Sequence, residues 1–165
     1  MTQPTIRKAA VEDMPVLLLF EQGVIHAERQ FDPTLKIVPT NYYDIKAMIT
    51  ASHIELLVAE TDGQLVGCGY ARIEASKPYL QHRQHAYLGF MYVVPAHRGK
   101  GINGFIIEAL ERWTVAQGIT ELRLEVYFEN EPAIKAYQKT GFSKHMIEMR
   151  KPVTEDGSGG TGYKS

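Results

Sequence analysis

The chain has 165 residues, 44% of them hydrophobic, enough for one well-buried core and too few for two ordinary domains. Its 18 basic and 19 acidic side chains nearly cancel to a formal charge of -1, so no general basic field is available to hold nucleic acid or an anionic membrane. The lone Cys68 excludes an internal disulfide and a cysteine-rich zinc site, and no apolar run approaches the ~18 residues of a membrane span. With an N-terminus that lacks an apolar leader core, these features predict a cytoplasmic protein.

In chain order, "TIRKAA" (5–10) predicts a short strand. "DMPVLLLFEQGVIHAERQF" (13–31) predicts a helix with Val16, Leu17, Phe20, Val24 and Ile25 at helical spacing. The proline-punctuated "DPTLKIVPT" connects it to a second helix, "NYYDIKAMITAS" (41–52), with Asn41 as N-cap. Two β-type runs flank Asp62-Gly63, a dipeptide that tolerates positive φ, and predict a hairpin over 55–75. A polar loop, 76–85, leads to the strand "AYLGFMYVV" (86–94). The helix "INGFIIEALERWTVAQG" (102–118) follows, with Ile102, Phe105, Ile106, Ala109, Leu110 and Trp113 on one face and Gly118 as its stop. "ELRLEVYF" (121–128) alternates as a strand, "NEPAIKAYQKTG" (130–141) is a short helix between an asparagine cap and a glycine, and "SKHMIEMRKPV" (143–153) predicts a last strand. The order is βααββ, then βαβαβ. The tail 154–165 carries four glycines and little apolar content, which predicts disorder.

Between the strand and the longer C-terminal helix lies Gly99-Lys100-Gly101-Ile102-Asn103-Gly104, which satisfies the dinucleotide pattern G-x-G-x-x-G, with Glu125 about 20 residues further on. The spacing argues against that reading, because Pro95-Ala96-His97-Arg98 separate the strand from the first glycine and "VYF" continues beyond Glu125. A Walker A loop fails because Lys100 sits between glycines. What remains is the chemistry common to such loops. Glycines let the backbone turn its N–H groups toward a phosphate, the following helix adds unpaired amides and a partial positive charge, and Arg98 and Lys100 add charge.

The same stretch, "VVPAHRGKGIN", resembles the Arg/Gln-x-x-Gly-x-Gly/Ala loop of the GCN5-related N-acetyltransferase (GNAT) family, as Arg98-x-x-Gly101-x-Asn103. "NEPAIKAYQKTGF" is similar to that family's Asn-x-x-Ala-x-x-x-Tyr-x-x-x-Gly-Phe segment. The resemblance is dense from about Leu56 to Met149. It implies an α/β fold with a mixed, mainly antiparallel central sheet, splayed strands and flanking helices, over residues 4–153, and it implies acetyl-coenzyme A as cosubstrate with no metal. By the same resemblance, backbone groups of Met91, Tyr92 and Val93 hold the pantetheine arm and the acetyl carbonyl. The segment Arg98, Gly99, Lys100, Gly101, Ile102 and Asn103 cradles the pyrophosphate. Asn130 contacts the pantetheine arm as well as capping its helix, Ala133 leaves room for the cosubstrate, and Tyr137 protonates the departing thiolate. Asn103 departs from the small residue expected there.

A general base is harder to place, because Gly89 stands where the family often has a glutamate. Glu21, His26, Glu28 and Tyr87 are the candidates. His82, His85 and His97 have a loop context and irregular spacing that favour solvated histidines over a metal site, and Cys68 reads as a small buried apolar residue. The expected activity is acetyl transfer to a primary amine by direct attack in a ternary complex. The acceptor is a small molecule or a peptide or protein amine, with neither nucleic acid nor membrane as partner, and a homodimer is compatible with the sequence. The alternatives are a non-catalytic acyl-coenzyme A sensor and, less in keeping with the spacing, a dinucleotide-dependent oxidoreductase.

Overall fold

In the computed structural model, which describes residues 3–155, the chain divides into two compact units. One comprises the residues through Ile25 and Thr40–Glu125; the other comprises His26–Pro39 and the residues from Val126 on.

The first unit is built on a five-stranded sheet of order β1-β2-β3-β4-β5, with β1 Thr5–Lys8, β2 Ile54–Thr61, β3 Gln64–Ala75, β4 Gln84–Val93 and β5 Leu122–Arg123. The first three junctions are antiparallel and the last is parallel. The β2–β3 hairpin closes through Asp62 and Gly63 at φ +52° and +73°, the pair of left-handed residues that matches strand twist in a two-residue turn. Helix α1 spans Met14–Glu28 and buries Leu17, Phe20, Glu21, Val24 and Ile25, a stripe at three- and four-residue spacing; its residues after Ile25 belong to the second unit.

Strand alternation sends Ile54, Leu56 and Val58 of β2 to one face of the sheet. There they form the core with Cys68, Tyr70 and Phe90, with Leu17, Phe20 and Val24 of α1, and with Ile45, Met48 and Ile49 of α2, Ile45–Thr50. The opposite face is covered by α3, Ile102–Ala116, whose Ile106, Ile107 and Leu110 are buried. Gly69 of β3 makes that approach feasible: a Cβ there would meet Met91 Sδ at 2.4 Å and Ile106 Cγ2 at 3.0 Å. Each fully buried leucine or isoleucine in these layers contributes about 1.5–3 kcal/mol of transfer free energy, and the two-sided burial of β2 and β3 makes the sheet the mechanical base of the unit.

Three expectations are corrected. The second helix is capped by Asp44, whose Oδ1 accepts the Ala47 N–H at 3.1 Å, and not by Asn41. The reason is that Glu21 Oε2 takes the N–H groups of Tyr42 and Tyr43, at 3.0 and 2.8 Å, and holds them ahead of the helix. The strand expected over 121–128 pairs only as Leu122–Arg123, and no strand forms among the described residues of 143–153. Alternation in the first and apolar content in the second are local signals, whereas a strand exists only where a neighbour completes its ladder. The glycine-rich stretch read as disordered lies, from residue 156 on, outside the described residues.

In the second unit, α4 spans Glu131–Lys139. Asp32, 7% exposed, organises the rest. Its carboxylate accepts the Thr34 N–H at 2.9 Å and the Thr34 hydroxyl, the Tyr127 hydroxyl at 3.3 Å, and the Arg150 guanidinium at 3.5 Å. The Thr34 hydrogen bonds, ahead of the Arg150 charge, hold its pKa below the usual carboxylate value. Phe31 stacks on Tyr127 with ring centroids 5.8 Å apart.

Candidate functional site

Strand β4 carries an irregularity where the site is expected. Cys68 pairs with Tyr92 but Tyr70 pairs with Gly89, so one residue of β3 faces two of β4, Phe90 and Met91. This is a β-bulge, and Phe90 takes φ +53° to make it, an uncommon conformation for a bulky side chain. The strain is held by packing: Phe90 is 2% exposed and stacks on Tyr43 at 4.6 Å, while its carbonyl accepts the Cys68 thiol at 3.3 Å. Cys68 itself is fully buried, as expected, and burial raises its thiol well above the ordinary range. Beyond the bulge β4 runs on through Val93, whereas β5 pairs with it only at Ala86–Leu122 and Tyr87–Arg123. The β5-side edge of β4 at Met91, Tyr92 and Val93 is therefore not closed by that ladder, the condition an extended ligand needs to add itself as a strand.

The loop continues from this edge. Pro95–His97 form a single tight turn closed by the Arg98 N–H on the Pro95 carbonyl at 3.3 Å. The Arg98 side chain folds back: Nε donates to the Val93 carbonyl at 3.0 Å and the guanidinium lies 5.8 Å from the Tyr92 ring centroid. Arg98 thus fastens the loop to the strand end. Gly99 and Gly101 stand at φ +76° and +80°, and nothing lies within 4 Å of a Cβ built on either, so glycine is required there by backbone conformation. Gly101 is the N-cap of α3, and the first amide to close a helical bond is that of Phe105, on the Gly101 carbonyl at 3.3 Å. The amides of Ile102, Asn103 and Gly104 precede it and have no intrahelical acceptor. Lys100 is exposed beside them. Amides without an intrahelical acceptor, the positive end of a 15-residue helix and an exposed cation suit a pyrophosphate.

In the second unit, Asn130 Oδ1 accepts the Ala133 N–H at 3.3 Å, which verifies its capping role. Tyr137 follows Ala133 by one turn and meets Phe142 edge-on at 6.0 Å. Burial, then the charge of Glu28, pushes the Tyr137 phenol up to about 12, so it keeps its proton at neutral pH.

The base candidates separate. Glu21 is fully buried and spends one oxygen on the Tyr42 and Tyr43 amides. Burial and then the Glu125 charge raise the Tyr87 phenol far above its ordinary value, which leaves it a donor. His26 is exposed, and Glu28 lies near Tyr137 in the second unit. The solvated reading of the three loop histidines fails for His85, which is 6% exposed with Nδ1 2.8 Å from the Ser76 hydroxyl. Among the described residues no group of three or more His, Cys, Asp or Glu could hold a metal. At Gly89, a Cβ would lie 2.4 Å from the Tyr70 hydroxyl oxygen, so Tyr70 already fills the space a side chain there would need. The sequence reading missed Tyr70 and Arg72; the signal was their alternation on β3 with Glu74, which puts all three on one face.

The Acetyltransferase (GNAT) family model matches residues 23–142. The chain belongs to that family. It is an acetyl-coenzyme A-dependent N-acetyltransferase, and it is 31% identical over 114 residues to an acetyltransferase of Pectobacterium atrosepticum, covering 68% of this chain and 75% of the relative. In fold, this acetyltransferase is similar to the crystal structure of a mutant Bacillus halodurans protein, with TM-score 0.82, 20% identity, and 91% of this chain and 99% of that one covered. A Clostridium acetobutylicum protein described as a predicted acetyltransferase with acetyl-coenzyme A gives TM-score 0.70, 19% identity, and coverage of 89% and 96%. Among the described residues no helix of the acetyltransferase is long and apolar enough to cross a membrane.

Proposed function

We propose that residues 4–153 form a cytoplasmic N-acetyltransferase domain that moves acetyl from acetyl-coenzyme A to a primary amine by direct attack in a ternary complex. The observation that carries this reading is the continuity of the bulged, unclosed edge of β4 with a loop whose left-handed glycines run into the bare amides of α3. Backbone groups of Met91, Tyr92 and Val93 hold the pantetheine arm, and an N–H at the bulge stabilises charge on the thioester oxygen. The loop from Arg98 to Asn103 holds the pyrophosphate by its amides. Arg98 acts by fastening that loop, and Lys100 by its charge.

Of the second unit's residues, the family resemblance assigns Asn130 and Ala133 to the pantetheine arm and Tyr137 to the proton that sulfur takes. A phenol near 12 giving its proton to a thiolate of ordinary thiol pKa, about 8.5, is uphill by roughly 5 kcal/mol. The transfer is therefore drawn to completion by the nitrogen proton that is lost as the amide forms and that returns to Tyr137.

The test is thiol release from acetyl-coenzyme A across polyamines, amino acids, aminoglycosides and lysine peptides, with thermal shifts by coenzyme A and by nicotinamide dinucleotides. Turnover with an amine, and stabilisation of about 2.7 kcal/mol at a hundredfold excess of coenzyme A over its Kd, are expected. Binding without turnover would favour a sensor, and equal stabilisation by a nicotinamide dinucleotide an oxidoreductase.

A further inference from the structure

We propose that Glu125 is the general base of this acetyltransferase, taking over, from the segment that follows β5, the task for which β4 has no carboxylate. The proposal rests on the transferase reading above and adds the group that readies the amine. The parallel ladder ends at Tyr87–Arg123, and Glu125 follows two residues beyond Arg123, as Gly89 follows two beyond Tyr87. The face that bears Tyr87 also bears Tyr70, Arg72 and Glu74: Arg72 pairs with Tyr87 across β3 and β4, and its guanidinium lies 5.4 Å from the Tyr70 ring and 5.6 Å from that of Tyr87.

Position 89 itself is closed to a carboxylate. Any side chain there would collide with the Tyr70 hydroxyl, and Tyr70 is anchored in the core by Tyr43, edge-on at 5.9 Å. Glu74 is occupied: Oε1 accepts Arg72 Nε and Nη2 at 2.8 and 2.6 Å, and Oε2 lies 3.4 Å from His85 Nε2. Arg123 on β5 is engaged by Glu121. Glu125 enters none of the ion pairs among the described residues and is exposed, so it can both take a proton and hand it to water. Its nearness to the face is independently visible in the phenols, since after burial its charge is the largest influence on Tyr87 and it also raises Tyr70.

The need for such a group is quantitative. With the pKa of an ordinary lysine, about 10.4, only about one amine in 2,500 is neutral at pH 7. In the step, Glu125 accepts one proton from the ammonium and becomes the acid. The freed nitrogen pair forms the C–N bond to the thioester carbon, and the C–S bond breaks with its pair on sulfur. Sulfur takes the Tyr137 proton, the second nitrogen proton passes to Tyr137 and restores it, and Glu125 returns its own proton to water. The sum is amide, thiol and one released proton.

The test compares wild type with Glu125→Gln, Glu125→Asp and Glu125→Ala, using acetyl-coenzyme A and whichever acceptor of the amine panel turns over fastest. Glu125→Gln is expected to lose about a hundredfold to ten-thousandfold in kcat/KM at pH 7. Its calorimetric affinity for coenzyme A should be unchanged, and the deficit should narrow as pH rises toward the amine's own pKa. Formate should restore rate to Glu125→Ala in proportion to its concentration, and Glu125→Asp should retain part of the activity even if the other two fold poorly. Glu125→Gln within threefold of wild type, or a deficit equal at every pH with no formate rescue, overturns the proposal. A wild type that turns over no amine overturns the transferase reading itself.

Discussion

Glu21, fully buried in α1, accepts the backbone N–H of Tyr43 at 2.8 Å, and the Tyr43 ring lies flat on Phe90, the residue held at φ +53° in the β4 bulge. One carboxyl thus supports the strained residue through the ring stacked on it. Glu21→Ala strands the Tyr42 and Tyr43 amides and is expected to cost about 2–4 kcal/mol, whereas Glu21→Gln keeps one acceptor oxygen and should cost about 1–2. Urea unfolding of the two variants measures the difference; equal losses would show that packing, and not the hydrogen bonds, is what Glu21 supplies.

The loop glycines are expected to differ sharply. Gly101 stands at φ +80° in open space, so Gly101→Ala carries about 1–2 kcal/mol of local strain and Gly101→Val more, with acetyl-coenzyme A binding lost because the amides turn away. Gly104 lies inside α3 with ordinary backbone and nothing within 4 Å of a Cβ, so Gly104→Ala should leave the fold intact or raise its stability by up to about 1 kcal/mol. Arg98→Ala and Lys100→Ala should weaken binding less than Gly101→Val. Calorimetric titration and thermal unfolding of the set check the order.

Tyr137→Phe keeps the ring and its edge contact with Phe142 and removes the proton. Acetyl-coenzyme A affinity should hold while kcat falls about a hundredfold, the lower end for a lost general acid because a thiolate is a tolerable leaving group. A donor must be protonated to act, and with a pKa near 12 Tyr137 stays so through pH 10. No fall in kcat below pH 10 should therefore trace to it; a basic limb near pH 8 that disappears in Tyr137→Phe would contradict the assignment.

Acid stability is expected to depend on Asp13, which is 8% exposed and accepts Arg7 at 2.8 and 2.9 Å and the Ala10 N–H at 2.7 Å. The Arg7 hydrogen bonds, against opposing burial, hold its pKa below the unfolded value of about 3.9. A depressed folded pKa contributes stability that is complete above the unfolded value and is lost as pH falls through the folded one. Asp13→Asn should destabilise by about 1–3 kcal/mol at pH 7, the figure tempered by the partial exposure of Arg7, and should lose less than wild type between pH 5 and 2. Denaturant midpoints across that range decide it.

What the sequence determined by itself is what short stretches of chain settle locally. The Asp62-Gly63 turn, the Asn130 cap, the Gly118 and Gly141 stops and the left-handed Gly99 and Gly101 are each fixed by backbone sterics or one neighbouring hydrogen bond, and the loop and α4 motifs carried the family. The tertiary structure decided whatever needs a distant partner. Asp44 caps α2 because Glu21 in another helix has taken the amides after Asn41. Phe90 is left-handed because two residues of β4 must answer one of β3, and His85 is buried because Ser76 and Glu74 receive it. The residues 143–153 form no strand because no ladder completes them, whatever their apolar content. The absence of a base at Gly89 was legible as a letter, but its cause was not. Tyr70, nineteen positions earlier, fills that space, and only the pairing of β3 with β4 sets Tyr70 and Gly89 side by side in register.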